Sequence, residues 1–393
     1  MTIKRVRYFI FLKDVLFLAL TAFGGPQGHL AVFIERLVVK RAYLSEEDML
    51  ELYALCQILP GPTSTQTITA IGYRIGGATL AYLTLLIWML PAVILMTVVA
   101  IIVVNFEAFN ISLDFLRFIQ PMAVGIVAFS AYRISTKVIV SQLGLILMLL
   151  AAVGSYFLPF PFVLPVFLIL GGFVTSLNYK KHPREEKQTM HVKWANFFLW
   201  AGVLIMAAVV GAIFDFRLVK LFENFYRNGS LIFGGGQVLV PLLYTEFVEF
   251  KRYLTSEEFI SGYGVVQALP GPVFSFAGYV GALSMRDAGF IGQIAGSFVA
   301  SLGVFLPGTF LIFFVTRFWD QLKKYRGIRA SMEGVHAVSS GMVITATLFL
   351  LIQMEISMLN YSLMAGTALI LFFTRIPAPV IILVGLIVGI VLT

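Results

Sequence analysis

Seven apolar runs leave this backbone few choices. Leu83–Val104, Leu143–Leu158, Phe160–Ser176, Asn196–Phe214, Phe290–Val315, Gly341–Ile352 and Ile376–Thr393 are almost free of charge. Several reach the roughly 20 helical residues needed to cross a hydrocarbon core. In lipid every backbone N–H and C=O must find a partner within the protein, so runs of this kind are helices. The short alternating segments of a membrane barrel are missing. Of the 393 residues, 59% are hydrophobic and 12% charged, about half the charged share of an ordinary soluble domain. The chain reads as an all-α polytopic membrane protein.

The formal net charge of +8 does not point to nucleic acid. The basic residues sit mostly in short loops, where they orient a chain in a bilayer. A single cysteine, Cys56, excludes an intrachain disulfide and any multi-cysteine metal or cluster site; a small packed side chain is the simplest reading. The first 25 residues, MTIKRVRYFIFLKDVLFLALTAFGG, begin basic and turn apolar. Lys13 and Asp14 interrupt the run and no small-residue cleavage site follows, so a retained first helix is expected rather than a signal peptide.

The chain also repeats itself. FGGPQ at Phe23–Gln27 returns as FGGGQ at Phe233–Gln237, 210 residues on. At the same offset YLSEED (Tyr43–Asp48) returns as YLTSEE (Tyr253–Glu258), and QILPGP (Gln57–Pro62) as QALPGP (Gln267–Pro272). IGY at Ile71–Tyr73 matches AGY at Ala277–Tyr279 after a deletion of one helical turn, and Pro91 pairs with Pro307. Matches in one order imply two homologous halves. We divide the chain into a first repeat, 1–178, a segment 179–216 holding a charged linker and one extra transmembrane helix, and a second repeat, 217–393.

Six crossings are expected in each half, within a total of about 10–13 membrane segments. In the first half they fall near 8–24, 52–77, 78–104, 115–135, 139–157 and 160–178; in the second near 217–235, 258–283, 288–316, 333–355, 357–374 and 376–393. With Lys4, Arg5 and Arg7 inside, the linker, Arg133, Lys137, Lys251, Arg252 and the cluster Arg317, Lys323, Lys324, Arg326 and Arg329 also fall inside, whereas Glu107 and Asp114 fall outside. The extra crossing makes the second half enter from the opposite side, so the repeats are expected to be inverted. This count depends on 52–77 being a crossing and not a re-entrant hairpin.

Pro-Gly-Pro inside an apolar stretch stops one helix and starts another. Broken backbone in a membrane is tolerated where protein buries it or water reaches it. After Pro60, Gly61 and Pro62, the run Thr63, Ser64, Thr65 and Gln66 offers free N–H groups and polar side chains, which is an anion site. Gly24 and Gly25 break the first helix likewise, Pro26 restarts one, and Gln27 and His29 follow. In the second half Gly234, Gly235, Gly236, Gln237, Gln267, Pro270, Gly271, Pro272 and Ser275 repeat the device. A lone Pro-Gly-Pro is commonly a plain loop and a lone Gly-Gly a close packing; the ordered repetition of both favours four helix ends aimed at one small, oxygen-rich anion.

Ionisable residues within membrane segments are candidates for coupling or gating: Asp14, whose repeat partner is Asn224, then Glu35 and Arg74. Each has a simpler reading, as an ion pair, a solvated loop charge and a topology anchor. His336, near Glu333 on a late helix, reads as a hydrogen-bonded helix-end histidine, and Glu46–Asp48 after Ser45 as a capped helix start. There is no Walker A loop, His-Glu-x-x-His, Cys-x-x-Cys or strand-bound Gly-x-Gly-x-x-Gly. No enzyme activity and no cofactor is expected, and transport without an ATP site is secondary or passive.

Together FGGPQGHLAVFIERLV, YLSEEDMLELYALCQILPGPTSTQ, IGYRIGG, FGGGQVLVPLL and QALPGPVFSFAGYVG resemble the chromate ion transporter family, in particular its long-chain, two-domain members. The resemblance covers all but the linker and extra helix. It implies export of chromate from the bacterial cytoplasm, driven by membrane potential or a proton gradient, with sulfate as a look-alike. It carries over Phe23, Gly24, Gly25, Gln27, Gln57, Pro60, Gly61, Pro62 and Thr63–Gln66, then Gly234, Gly235, Gln237, Gln267, Pro270, Gly271 and Pro272. Val273, Phe274 and Ser275 replace Thr63, Ser64 and Thr65, so most anion contacts are expected in the first half. The partners are then a dianion and membrane lipid, with a homodimer left open and no nucleic acid. A sulfate transporter of the same architecture, a passive channel and a non-transporting scaffold are the rival readings.

Overall fold

The computed structural model describes residues 3–22, 25–108, 118–139, 141–158, 163–179, 194–214, 216–232, 236–316, 325–374 and 376–392. Among them there are helices and no strand. The first repeat forms α1 (Ile3–Thr21), α2 (Gly25–Phe33) continued by a π turn (Ile34–Lys40), α3 (Glu46–Ile58), α4 (Thr63–Ala108), α5 (Ile119–Val138), α6 (Gln142–Phe157) and α7 (Val163–Ser176). The extra segment is α8 (Ala195–Ile213). The second repeat forms α9 (Arg217–Gly229), α10 (Gly236–Tyr244) continued by a π turn (Thr245–Phe250), α11 (Ser256–Ala268), α12 (Phe276–Ser284) behind a 3-10 turn, and α13 (Gly289–Val315). It closes with α14 (Arg326–Gln353), α15 (Met358–Phe373) and α16 (Ala378–Leu392).

Thr63–Asn105, Ala195–Ile213, Arg286–Val315 and Arg329–Ile352 are long and apolar enough to cross a membrane. Shorter apolar helices of 10–17 residues accompany them, among them Gln142–Phe157 and Met358–Phe373. The backbone repeats as the sequence does. Both π turns follow the helix after a Gly-Gly break. Each is followed by a left-handed non-glycine residue, Ala42 (φ 48) and Arg252 (φ 53), and each Pro-Gly-Pro holds a left-handed glycine, Gly61 (φ 118) and Gly271 (φ 97).

One expected crossing is not a crossing. Residues 52–77 belong to two antiparallel arms that meet at Pro-Gly-Pro. The arm α3 rises over 13 residues, about 20 Å at helical rise. The chain reverses at Leu59–Pro62, and α4 descends to Gly77, where its helix is interrupted (φ 74, ψ −164) before turning into the long arm 78–108. The far ends meet: Arg74 Nη1 donates to Asp48 Oδ1 at 2.9 Å, and Tyr8 at the start of α1 lies against Gly76. The base of this re-entrant hairpin is therefore level with the start of α1. Hydropathy cannot distinguish two half-length arms from one full-length helix, since both bury the same apolar residues. Ser45 caps α3 as expected, accepting from Asp48 N at 3.1 Å.

The chain forms two compact units, each drawing helices from both repeats. The first is Met1–Ile111, Lys193–Gly236 and Val266–Arg317; the second is Ser112–Val192, Gln237–Val265 and Phe318–Thr393. In the first unit Asp14, 1% exposed, fastens the π turn after α2 and the loop leading into α3 to α1. Arg36 Nη2 approaches its Oδ1 to 2.6 Å and Arg41 Nε its Oδ2 to 2.8 Å. The Tyr43 hydroxyl donates to Oδ2 at 3.0 Å, and Arg36 also covers the Phe17 ring at 4.6 Å. Burial and the Asp14 hydrogen bond push the Tyr43 hydroxyl up to about 12, so it stays a donor. Arg36 and Arg41 are 26% and 42% exposed, so water screens this cluster from the outside and weakens it relative to a fully buried pair. The second repeat has Asn224, Glu246 and Lys251 at the equivalent positions, and there Glu246 pairs with Lys251 at 3.4 Å.

In the second unit α14 packs on α6 and α7 through small residues that let backbones approach. Gly334 lies on Gly171 and Gly341 on Met148. Thr345 Oγ1 donates to the Ala152 carbonyl at 2.7 Å, and the Ser141 hydroxyl that caps α6 is bound by Glu333. His336 lies half-buried on the same helix.

The hairpin yields a direct prediction. In a Cys56→Ala background, single cysteines at Asp48 and Arg74 should both react with a membrane-impermeant maleimide from the same face of sealed vesicles. Labelling from opposite faces would restore 52–77 as a crossing.

Candidate functional site

The helix breaks of the two repeats fasten to each other within the first unit. Gly61 N–H donates to the Ile232 carbonyl at 2.7 Å, and Gly271 N–H donates to the Ala22 carbonyl at 2.9 Å. Ala22 and Ile232 each precede a Phe-Gly-Gly, so their carbonyls stand at helix ends that lack the next turn. The Pro-Gly-Pro of the other repeat supplies the missing donor. Ala22 and Ile232 are fully buried, where an unmet carbonyl costs about 1–3 kcal/mol.

Glycine is required at both donors. Their φ values of 118° and 97° disfavour any side chain. A Cβ at Gly61 would also meet Gly308 Cα at 3.0 Å, and one at Gly271 would meet Ala92 Cβ at 3.1 Å. Gly308 follows Pro307 and Ala92 follows Pro91, so the paired prolines mark the two seats on which the turns rest.

This junction holds the start of α4. Helix geometry leaves the N–H groups of Thr63, Ser64 and Thr65 without intrahelical acceptors; Gln66 N–H returns to the Pro62 carbonyl at 2.9 Å. Thr63 and Ser64 are 4% exposed, Thr65 and Gln66 1%. The Gln66 amide closes the turn, its Nε2 donating to the Pro60 carbonyl at 2.8 Å and to the Gly308 carbonyl at 3.1 Å. Trp88 Nε1 donates to Thr65 Oγ1 at 3.1 Å and Thr67 Oγ1 to the Thr63 carbonyl at 2.8 Å.

The second copy is less polar. Pro272 caps a 3-10 turn, Val273–Ser275, with Ser275 N–H on the Pro272 carbonyl at 2.9 Å. Ser275 is buried, with its hydroxyl unpartnered among the described residues. Gln267 and Pro270 are half-buried beside the turn.

Gly25 (φ 67) opens α2. Pro26 and Gln27 follow it on α2, Gln57 lies on α3 and Gln237 on α10, with side chains outside the described residues. Phe23, Gly24, Gly234 and Gly235 lie outside them altogether. The charged candidates are engaged elsewhere: Asp14 with Arg36 and Arg41, Arg74 with Asp48, and exposed Glu35 with Lys40 at 2.7 Å.

Two residues were not assigned from sequence. Trp88 contacts Thr65, and His29 packs edge-on against Trp88 at 5.3 Å between ring centroids. A usable signal existed for Trp88, because tryptophan favours membrane interfaces and this one sits deep in an apolar run.

Chemically the start of α4 offers N–H and hydroxyl donors in a buried setting, and Asp14 is the buried charge among the described residues of this unit. A helix end of this kind favours an anion by about 0.3–1 kcal/mol, up to about 2 when partly buried. The second unit contains a cavity of about 470 Å³ lined by Gln120, Ser256, Glu257, Glu355, Ser357 and Asn360. Its two carboxylates disfavour a dianion there.

Comparison with known proteins follows the same division. The family model described as chromate transporter matches residues 10–177 and 219–390, and the chain belongs to that family. It is 27% identical over 376 residues to the chromate transport protein of Cupriavidus metallidurans, covering 94% of this chain and 89% of that one. It is 26% identical to the probable chromate transport protein of Synechococcus elongatus, with 94% and 91% covered. Identity to the chromate transport protein of Pseudomonas aeruginosa is 26%, with 84% and 77% covered. No solved structure matches the chain.

The junction predicts the effect of adding one methyl group. Gly61→Ala and Gly271→Ala should each lower thermal stability in detergent, since a left-handed alanine alone costs about 1–2 kcal/mol. Gly61→Ala should cost more, because its Cβ comes closer to backbone, 3.0 Å from Gly308 Cα against 3.3 Å from the Ala19 carbonyl for Gly271. Unchanged melting temperatures in both variants would remove the junction from the account.

Proposed function

We propose that this protein is a secondary transporter that moves chromate outward across the cytoplasmic membrane. The observation that carries this reading is the buried start of α4, fixed by the cross-repeat junction and offering N–H and hydroxyl donors with no buried cation among the described residues. The N–H groups of Thr63, Ser64 and Thr65, with the Thr63 and Ser64 hydroxyls, bind the dianion, and Gln66 holds the turn in position. Membership of the family and the printed names of the relatives supply chromate as the cargo. Direction rests on the resemblance and on physics: an inside-negative potential favours exit of a dianion by about 5 kcal/mol per 100 mV.

The N-terminus lies on the cytoplasmic side in this reading, and α8 turns the second repeat upside down relative to the first. The re-entrant hairpin leaves that parity intact, because α2 and its π turn bring the chain back before α3 begins. It also moves Lys40 and Arg41 to the cytoplasmic side, in line with the usual charge asymmetry. Sulfate, a tetrahedral dianion of similar size, is the competing cargo, and the same donors accept it.

In everted vesicles Thr63→Ala and Ser64→Ala should each raise the apparent KM for chromate. A lost hydrogen bond to a charged ligand is worth about 1.5–3 kcal/mol, or roughly 10- to 150-fold. Val273→Ala, at the position equivalent to Thr63, should leave KM unchanged. Wild-type KM values in both α4 variants, at normal expression, would remove the site from the start of α4.

A further inference from the structure

We propose that His29 is a ligand of the transported oxyanion and takes up a proton when the anion binds. This inference rests on the function proposed above. His29 is 0% exposed, and neither ring nitrogen has a hydrogen-bond partner among the described residues. The ring packs edge-on to Trp88 at 5.3 Å and stacks on Phe33 at 6.2 Å. The Ala22 carbonyl faces the ring without reaching hydrogen-bond geometry, and it accepts the N–H of Gly271. The imidazole therefore stands where three parts of the junction converge: the end of α1, the Pro-Gly-Pro of the second repeat, and Trp88, which is tied to Thr65 in the first turn of α4. Two unmet polar atoms in such a place are costly in an empty site and useful in a filled one.

Several charged groups of the surrounding elements are paired with one another, and Arg7, Lys13, Glu46 and Glu47 are exposed. Asp14 of α1 pairs with Arg36 and Arg41 in and just after the π turn that follows α2, Glu35 with Lys40, and Arg74 of α4 with Asp48. Among the described residues no charged side chain pairs with the ring, so none of them balances an imidazolium. A dianion at the start of α4 supplies that partner. The ring nitrogen's lone pair then accepts a proton from water, the resulting N–H donates to an anion oxygen, and the proton returns to water on release; no other bond is made or broken. The second repeat has Leu239 at the equivalent position, fully buried, so the device exists once per chain.

The test is chromate binding to the purified full chain from about pH 6 to pH 9, comparing wild type with His29→Gln and with His29→Leu, the residue of the second repeat. Chromate's own titration appears in every profile, so the difference between profiles reports the histidine. Wild-type affinity should fall with rising pH more steeply than that of either variant, by up to ten-fold per pH unit. Superimposable profiles would overturn the inference. A second measurement needs no variant: at about pH 7.5, where chromate is mostly a dianion, binding to wild type in weak buffer should give a net uptake of protons from solution, read by an indicator dye. Binding without proton uptake overturns this inference alone, whereas no chromate binding by wild type overturns the proposed function and this inference with it.

Discussion

Two backbone hydrogen bonds organise the first unit. A helix broken inside a membrane leaves carbonyls and N–H groups that water cannot reach, and each must be met by protein. Here the break in one repeat meets the break in the other: Gly61 N–H on the Ile232 carbonyl, Gly271 N–H on the Ala22 carbonyl. Neither repeat satisfies its own ends. This explains why Phe-Gly-Gly and Pro-Gly-Pro recur as a matched set, and why the glycines at the two donors are left-handed. It also frees the first turn of α4, because the turn that would have covered Thr63, Ser64 and Thr65 is replaced by a reversal of the chain.

The repeats share a backbone and differ in chemistry. Thr63, Thr65, Gln66, His29 and Trp88 of the first repeat face Val273, Ser275, Phe276, Leu239 and Val304 in the second. One half presents donors and the other packs. The anchors differ as well. Asp14 gathers Arg36, Arg41 and Tyr43 in the first repeat, whereas Glu246 and Lys251 pair locally in the second. A single polar turn on a symmetric frame suits one anion bound per chain.

Much of this was legible in the sequence. Apolar runs specify helices because lipid permits little else, and the 210-residue offset separates the repeats that the family match also separates. The Ser45 cap was readable because its partner lies three residues away. The direction of the arm after Pro-Gly-Pro was not readable: composition is the same for a crossing and a hairpin, and the deciding contact joins Asp48 to Arg74. Asp14 was visible as a buried charge, but its partners depend on how the chain folds back after α2. Gln66 looked like a ligand from its position in a polar run, yet its amide is turned onto the Pro60 and Gly308 carbonyls, the second of which is 242 residues away in sequence. His29 followed Phe-Gly-Gly in plain view, and nothing local marks a histidine as buried and unpartnered.

The central claim is that the oxyanion sits at the start of α4, and it can be tested by locating the ion itself. Crystals of the full chain grown with chromate would place chromium by its anomalous scattering. The account predicts a peak within hydrogen-bond reach of the N–H groups of Thr63, Ser64 and Thr65, beside the ring of His29. A peak elsewhere, with the first turn of α4 unoccupied, would contradict it.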